Sequence, residues 1–230
     1  MVAGWPRFDL YVITDTVLSH GRSALEIARA ALEGGADAVQ LRGKSSPAIN
    51  LCRWVSEIQP MARKFGALFV VNDRIDVALL SGADGAHVGQ EDLPARDARR
   101  ILPRPVVLGV SAATRDAARR AEREGADYLG VGPIFPTATK PDAGPALGVE
   151  RLAEIVRAAT IPVVAIGGIT LENVARVIAA GAAGAAVISA VAAADDMAQA
   201  ARALKRRIAE ARAGSPGGRA GAAAPGGTIR

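Results

Sequence analysis

Gln40, Arg42 and Lys44 alternate within the stretch QLRGK. Successive side chains of an extended chain point to opposite faces, so these three turn to one side and bring a guanidinium beside an ammonium. The pair suits an anion with several phosphate oxygens, because the guanidinium grips two of them in a planar fork while the ammonium acts as a point charge. The competing reading is an exposed turn with ordinary basic residues.

Two carboxylates end later apolar runs, Asp73 in NDRID and Asp92 in HVGQED. Carboxylates are hard oxygen ligands, and Mg2+ is commonly held by one or two of them together with substrate phosphates. Aspartate also caps helices, so the spacing leaves a metal site and a structural role both open. His87 precedes Asp92 in the same run and is read either as a substrate contact or as a satisfied structural histidine. Ser111 closes the run VVLGVS, where a hydroxyl can donate to a phosphate or cap the next helix.

The segment GPIFPTATKPDAGPALG, with Pro133, Pro136, Pro141 and Pro145, is too irregular for a helix and reads as an active-site loop. Thr137, Thr139 and Lys140 place two hydroxyls and a cation on a stretch able to cover an electrophile and exclude water. Further on, Gly167 and Gly168 follow VVAI, and Ile188 and Ser189 follow AAV. Glycines let backbone N–H groups approach an anion, and a helix that starts there adds the positive end of its dipole.

All of these residues sit at the ends of short runs rich in Val and Ile that recur about every 20 to 30 residues, each followed by a segment of helical character. The runs are Leu10 to Thr14, Ala38 to Arg42, Leu68 to Asn72, Gly85 to Val88, Val106 to Val110, Tyr128 to Val131, Val163 to Ile166 and Ala185 to Ile188. Eight βα units predict an α/β fold, a single TIM (β/α)8 barrel, whose active site lies at the carboxyl ends of the strands. The echoes GADA, GADG and GADY point to one turn chemistry, with Gly35, Gly82 and Gly125 left-handed where a helix returns to the sheet.

The 230 residues, half of them hydrophobic, match one such barrel. A net charge of +5 suits anionic ligands, yet the arginines are scattered through helical stretches without interleaved aromatics, which argues against nucleic acid. The single cysteine, Cys52, excludes an internal disulfide, lies among Leu51, Trp54 and Val55 as a packing residue, and fits a reducing cytoplasm. No signal-like segment or membrane-length apolar run is seen, so a cytoplasmic protein is expected. The catalytic domain is expected over residues 1–212. The Gly/Ala/Pro-rich residues 213–230 are expected to be a disordered tail.

The stretches YVITD, QLRGK, NDRID, DGAHVGQED, GVS, GPIFPTATK, IGGI and VISAV together resemble the thiamine phosphate synthase family from about residue 8 to 205. The resemblance implies a transferase that joins hydroxymethylpyrimidine diphosphate to a thiazole phosphate. It assigns Gln40, Arg42, Lys44, Asn72, Ser111 and Lys140 to the pyrimidine diphosphate, and Asp73 and Asp92 to Mg2+. Thr137, Thr139, Gly168, Ile188 and Ser189 would hold the thiazole phosphate. Arg42, Lys44, Ser111 and Lys140 would carry the catalytic work, and His87 is kept as a substrate contact. The partners implied are two small molecules, with no nucleic acid and no membrane; a homo-oligomer is compatible. Two alternatives are a thiazole tautomerase and a catalytically silent ligand-binding paralogue. Retention of QLRGK, NDR, Asp92 and TATK argues against both.

Overall fold

In the computed structural model, which describes residues 8–16, 19–44, 46–137 and 144–214, eight parallel strands close into a barrel in the order β1 to β8. They are β1 (Leu10–Thr14), β2 (Ala38–Leu41), β3 (Leu68–Asn72), β4 (Gly85–Val88), β5 (Val107–Ser111), β6 (Tyr128–Val131), β7 (Val163–Ile166) and β8 (Gly184–Val187). Closure is made by β8 on β1, with Leu10 opposite Ala185 and Val12 opposite Val187. The expected strands agree with these to within a residue. β2 stops at Leu41, before the expected Arg42, while β5 runs on to Ser111 and β8 begins and ends one residue earlier. Each difference falls where the chain leaves or enters the sheet and ladder bonding is decided by the neighbouring strand.

Alternation along the strands separates two cores. Outward residues such as Val12, Val39, Phe69, Leu108 and Leu129 pack on the helices, which bury faces such as Ala24, Ile27, Ala28, Ala31 and Leu32 of α1 (Ala24–Glu33). Inward residues Tyr11, Ile13, Ala38, Val70, Tyr128, Val164 and Ala186, with Phe8 just before β1, fill the barrel itself. Helix starts are written locally. Ser23 caps α1 and Glu26 reaches back to the Ser23 N–H, a reciprocal capping box.

The GAD echoes do more than turn the chain. Gly35, Gly82 and Gly125 take the positive φ expected of them, 88°, 65° and 100°. The aspartate that follows each accepts a backbone N–H near the start of an odd-numbered strand: Asp37 from Leu10, Asp84 from Phe69 and Asp127 from Leu108, at 2.9, 2.9 and 2.8 Å. Side chains thereby pin strand starts at the bottom of the barrel. The last helix, α9 (Met197–Ala213), locks this end: Lys205 bonds Asp9 and Asp37, and Arg212 donates to Asp9 at 2.7 Å. Gly34 makes the approach possible, since a Cβ there would stand 2.4 Å from that of Ala201. Cys52 packs half-buried against the helix-side core, as expected. Among the described residues no helix is long and apolar enough to cross a membrane.

Candidate active site

At the carboxyl ends of the strands opens a cavity of about 390 Å³. Gln40, Arg42, Lys44, Asn72, Asp73, His87, Asp92, Ser111, Thr137, Gly168, Ile188 and Ser189 all line it. Thr139 and Lys140 lie outside the described residues.

Arg42 follows directly on β2 and is held from β1. One of its terminal nitrogens pairs with the carboxylate of Asp15, which is buried, and its N–H reaches Thr14 Oγ1 at 3.4 Å. The motif YVITD thus ends in the residue that fixes the guanidinium, a role not assigned to Asp15 from sequence. Lys44, further along the same exit, stays exposed at the rim.

Asp73 stands at the sharp end of β3 in the left-handed region, φ 61°, a conformation Asn and Asp tolerate because their short side chains bond locally. Its N–H donates to the His87 carbonyl at 2.8 Å, tying the exit of β3 to β4. Asp92 is folded back over the end of β4 by accepting from the Gly89 N–H at 2.7 Å. The two carboxyls lie close enough to act on each other. Burial first, and then the neighbouring Asp92, push the Asp73 carboxyl up to about 6, against the opposing pull of Lys44 and Arg42. Two oxygen-donor groups pressed together beside two cations are a fit for a hard divalent cation that completes its shell with phosphate and water. Among the described residues no larger cluster of His, Cys, Asp or Glu offers a metal site.

The floor of the cavity is polar and continuous. Gln40 Nε2 donates to the Tyr11 hydroxyl at 2.8 Å, which lies 2.9 Å from the Tyr128 hydroxyl. That oxygen is 3.0 Å from His87 Nδ1, and His87 Nε2 is 3.0 Å from Ser111 Oγ. Two strand glycines make room for the rings. A Cβ on Gly109 would fall 2.2 Å from Tyr128 Cζ and 2.4 Å from His87 Nδ1, and one on Gly130 would fall 2.9 Å from His87 Cε1. Tyr11 and Tyr128 were not singled out by sequence reasoning. They are the chain's only two tyrosines, and both occupy inward strand positions within the barrel's own apolar cluster. A hydroxyl-bearing ring at such a position is the signal that marks them.

The opposite wall is built on glycine. Gly167 and Gly168 have φ of 94° and 63°, and the segment after β6 crosses them, with Ile134 N–H donating to Ile166 and Phe135 N–H to Gly167. A Cβ at Gly168 would lie 2.5 Å from the Pro136 carbonyl. The double glycine therefore admits the segment that crosses it. Asn173 Nδ2 donates to the Gly168 carbonyl at 2.8 Å and holds this turn. Beyond β8, Ile188 and Ser189 open the short α8 (Ser189–Ala192) on the same side of the cavity.

Comparison with known proteins agrees with this geometry. The sequence profile of the family described as Thiamine monophosphate synthase matches residues 10–191. The chain is 54% identical over 207 residues to the thiamine-phosphate synthase of Moorella thermoacetica, covering 90% of this chain and 99% of the relative. It is 51% identical over 206 residues to that of Methanocella arvoryzae, covering 90% and 97%. Among solved structures, a thiamine phosphate pyrophosphorylase from Pyrococcus furiosus superposes with a TM-score of 0.83 at 43% identity, covering 89% of this chain and 96% of that one. By profile, sequence and fold, the chain belongs to the thiamine monophosphate synthase family.

Proposed function

We propose that this chain joins 4-amino-2-methyl-5-hydroxymethylpyrimidine diphosphate to 4-methyl-5-(2-phosphooxyethyl)thiazole, forming thiamine phosphate and releasing diphosphate. One observation carries the reading: a single cavity has a cationic and carboxylate rim on the β2 to β5 side and a glycine-built rim on the β7 to β8 side. A leaving diphosphate and a phosphate that stays attached need two such separate anion sites.

Arg42 and Lys44 bind the diphosphate oxygens, and the Asp15 clamp keeps the guanidinium oriented without a search through rotamers. Gln40, Asn72 and Ser111 complete the pyrimidine diphosphate site, and His87 stands behind Ser111. Thr137, Gly168, Ile188 and Ser189 hold the thiazole phosphate, the last two partly through backbone N–H groups. Lys140 and Thr139 are assigned by their place in the TATK motif alone.

The C–O bond to diphosphate breaks with its electrons leaving on the diphosphate, and the electron-rich pyrimidine carries the resulting cation. The thiazole nitrogen then supplies the pair for the new C–N bond. Cationic side chains positioned before the reaction stabilise the charge that develops on the leaving group. No protein nucleophile is required, in keeping with the packing role of Cys52. Asp73 and Asp92 would hold Mg2+, which, when bound, further neutralises the diphosphate.

The test is to mix both substrates with Mg2+ and measure thiamine phosphate, then to repeat the assay with a chelator. Metal-dependent product supports the reading. Product that survives chelation overturns the roles of Asp73 and Asp92, and thiazole isomerisation without condensation favours a tautomerase instead.

A further inference from the structure

The hydrogen bonds on the cavity floor have a direction. An amide NH2 group can only donate, so the Tyr11 hydroxyl accepts from Gln40. Tyr11 is buried, and its remaining hydrogen-bond partner among the described residues is the Tyr128 oxygen, to which its one proton must go. Tyr128, having accepted, gives its proton to His87 Nδ1. An imidazole that accepts at Nδ1 carries its proton on Nε2 and donates it to Ser111 Oγ. A doubly protonated ring would leave the buried Tyr128 proton with no acceptor among the described residues.

The other end gives the same polarity independently. Phosphate oxygens only accept, so a serine serving an anion must have its proton facing outward. Ser111 meets that requirement when its oxygen accepts from His87, and fails it when the serine proton is spent on the ring. The scaffold is shaped for the arrangement: Gly109 and Gly130 leave the space that Tyr128 and His87 occupy.

We propose that Tyr11, Tyr128 and His87 are positioning residues: they form a one-way hydrogen-bond chain from the Gln40 amide that holds His87 as the neutral Nε2–H tautomer and presents the Ser111 proton to the anion site. Its use in catalysis rests on the proposed synthase reaction. The chain itself is a property of the ligand-free protein. Burial, which pushes both phenols well above the ordinary tyrosine range, keeps them protonated as this requires.

The experiment is a 15N spectrum of the ligand-free, full-length protein labelled at histidine. The exposed His20 is assigned by a His20→Gln variant. A pyrrole-type resonance at His87 Nε2 and a pyridine-type resonance at Nδ1 are expected. An Nδ1–H tautomer or an imidazolium near neutral pH overturns the proposal. Gln40→Met removes the donor that sets the direction and should convert the single tautomer into a mixture. A tautomer unchanged in both Gln40→Met and Tyr128→Phe overturns the coupling.

Kinetics supply a second readout. Tyr128→Phe should lower kcat/KM for the pyrimidine diphosphate by about tenfold, the loss of one well-placed hydrogen bond. Adding Tyr128→Phe to Ser111→Ala should lower it no further, because the tyrosine acts through the serine. Fully additive losses would overturn the proposal. The expected tautomer in a protein that makes no thiamine phosphate would sink the function and leave the chain standing; normal synthesis with an Nδ1–H His87 would do the reverse.

Discussion

The guanidinium of Arg42 is clamped by the carboxylate of Asp15, whose side chain is 4% exposed. The pair spans two strands, since Asp15 follows β1 and Arg42 follows β2. Removing one member of a buried pair leaves the other uncompensated. Asp15→Asn keeps the shape and removes the charge. It should raise KM for the pyrimidine diphosphate by at least about tenfold, through a misoriented guanidinium, while KM for the thiazole phosphate changes little. Steady-state kinetics with each substrate varied separately decide the matter, and an equal rise in both values would contradict a local role.

The paired carboxyls of Asp73 and Asp92 predict a pH dependence of metal binding. The Asp73 carboxyl, pushed up to about 6, retains a proton that a cation must displace. Mg2+ affinity should therefore weaken as pH falls through about 6 and level off above about 7. Calorimetry in two buffers of different ionisation enthalpy should find proton release near pH 6 and little at pH 8. The sign for the metal-free protein follows from the same shift. The folded state binds the proton more tightly than the unfolded one, so this group's contribution to stability declines as pH rises from about 4 to 6. Asp73→Asn, which tolerates the left-handed backbone, should remove that dependence, raise thermal stability near neutral pH and lower turnover by about a hundredfold.

Asp127 offers the opposite separation of stability from activity. Its carboxylate, at the bottom of the barrel, accepts from the Leu108 N–H at 2.8 Å, from Arg104 at 2.8 Å and from Arg99 at 2.5 Å. Asp127→Ala leaves a half-buried Arg99 and a strand N–H without this acceptor and should destabilise the fold by about 3–5 kcal/mol. Urea denaturation should show the loss. KM for both substrates, set at the other end of the strands, should stay within about twofold of the parent value at temperatures where the variant is folded.

The barrel was legible because each strand is a short aliphatic run and the glycines Gly35, Gly82 and Gly125 mark where helices return to the sheet. These are local relationships, and local spacing records them. The site residues that alternate along β2 and its exit, Gln40 and Arg42, were legible for the same reason. Their partners were not. Nothing near Arg42 in the sequence names Asp15, and nothing near His87 names Tyr128, whose hydroxyl meets it from two strands away around the barrel. Asp73 and Asp92 were left open between metal ligands and helix caps, and what supports the first reading is that their carboxyls meet across the ends of β3 and β4.

By itself the sequence determined the eight βα units, the left-handed glycines Gly35, Gly82 and Gly125 that return three helices to the sheet, and the residue types collected at the strand ends. The family motifs implied two phosphorylated small-molecule substrates. Tertiary structure alone decided the pairings: which carboxylate clamps Arg42, which acid lies beside Asp73, and the direction in which hydrogen bonds run from Gln40 to Ser111. The physical reason is that period and capping depend on neighbours in the chain, whereas charge pairing and hydrogen-bond polarity depend on which strand ends closure of the barrel brings within about 3 Å of each other.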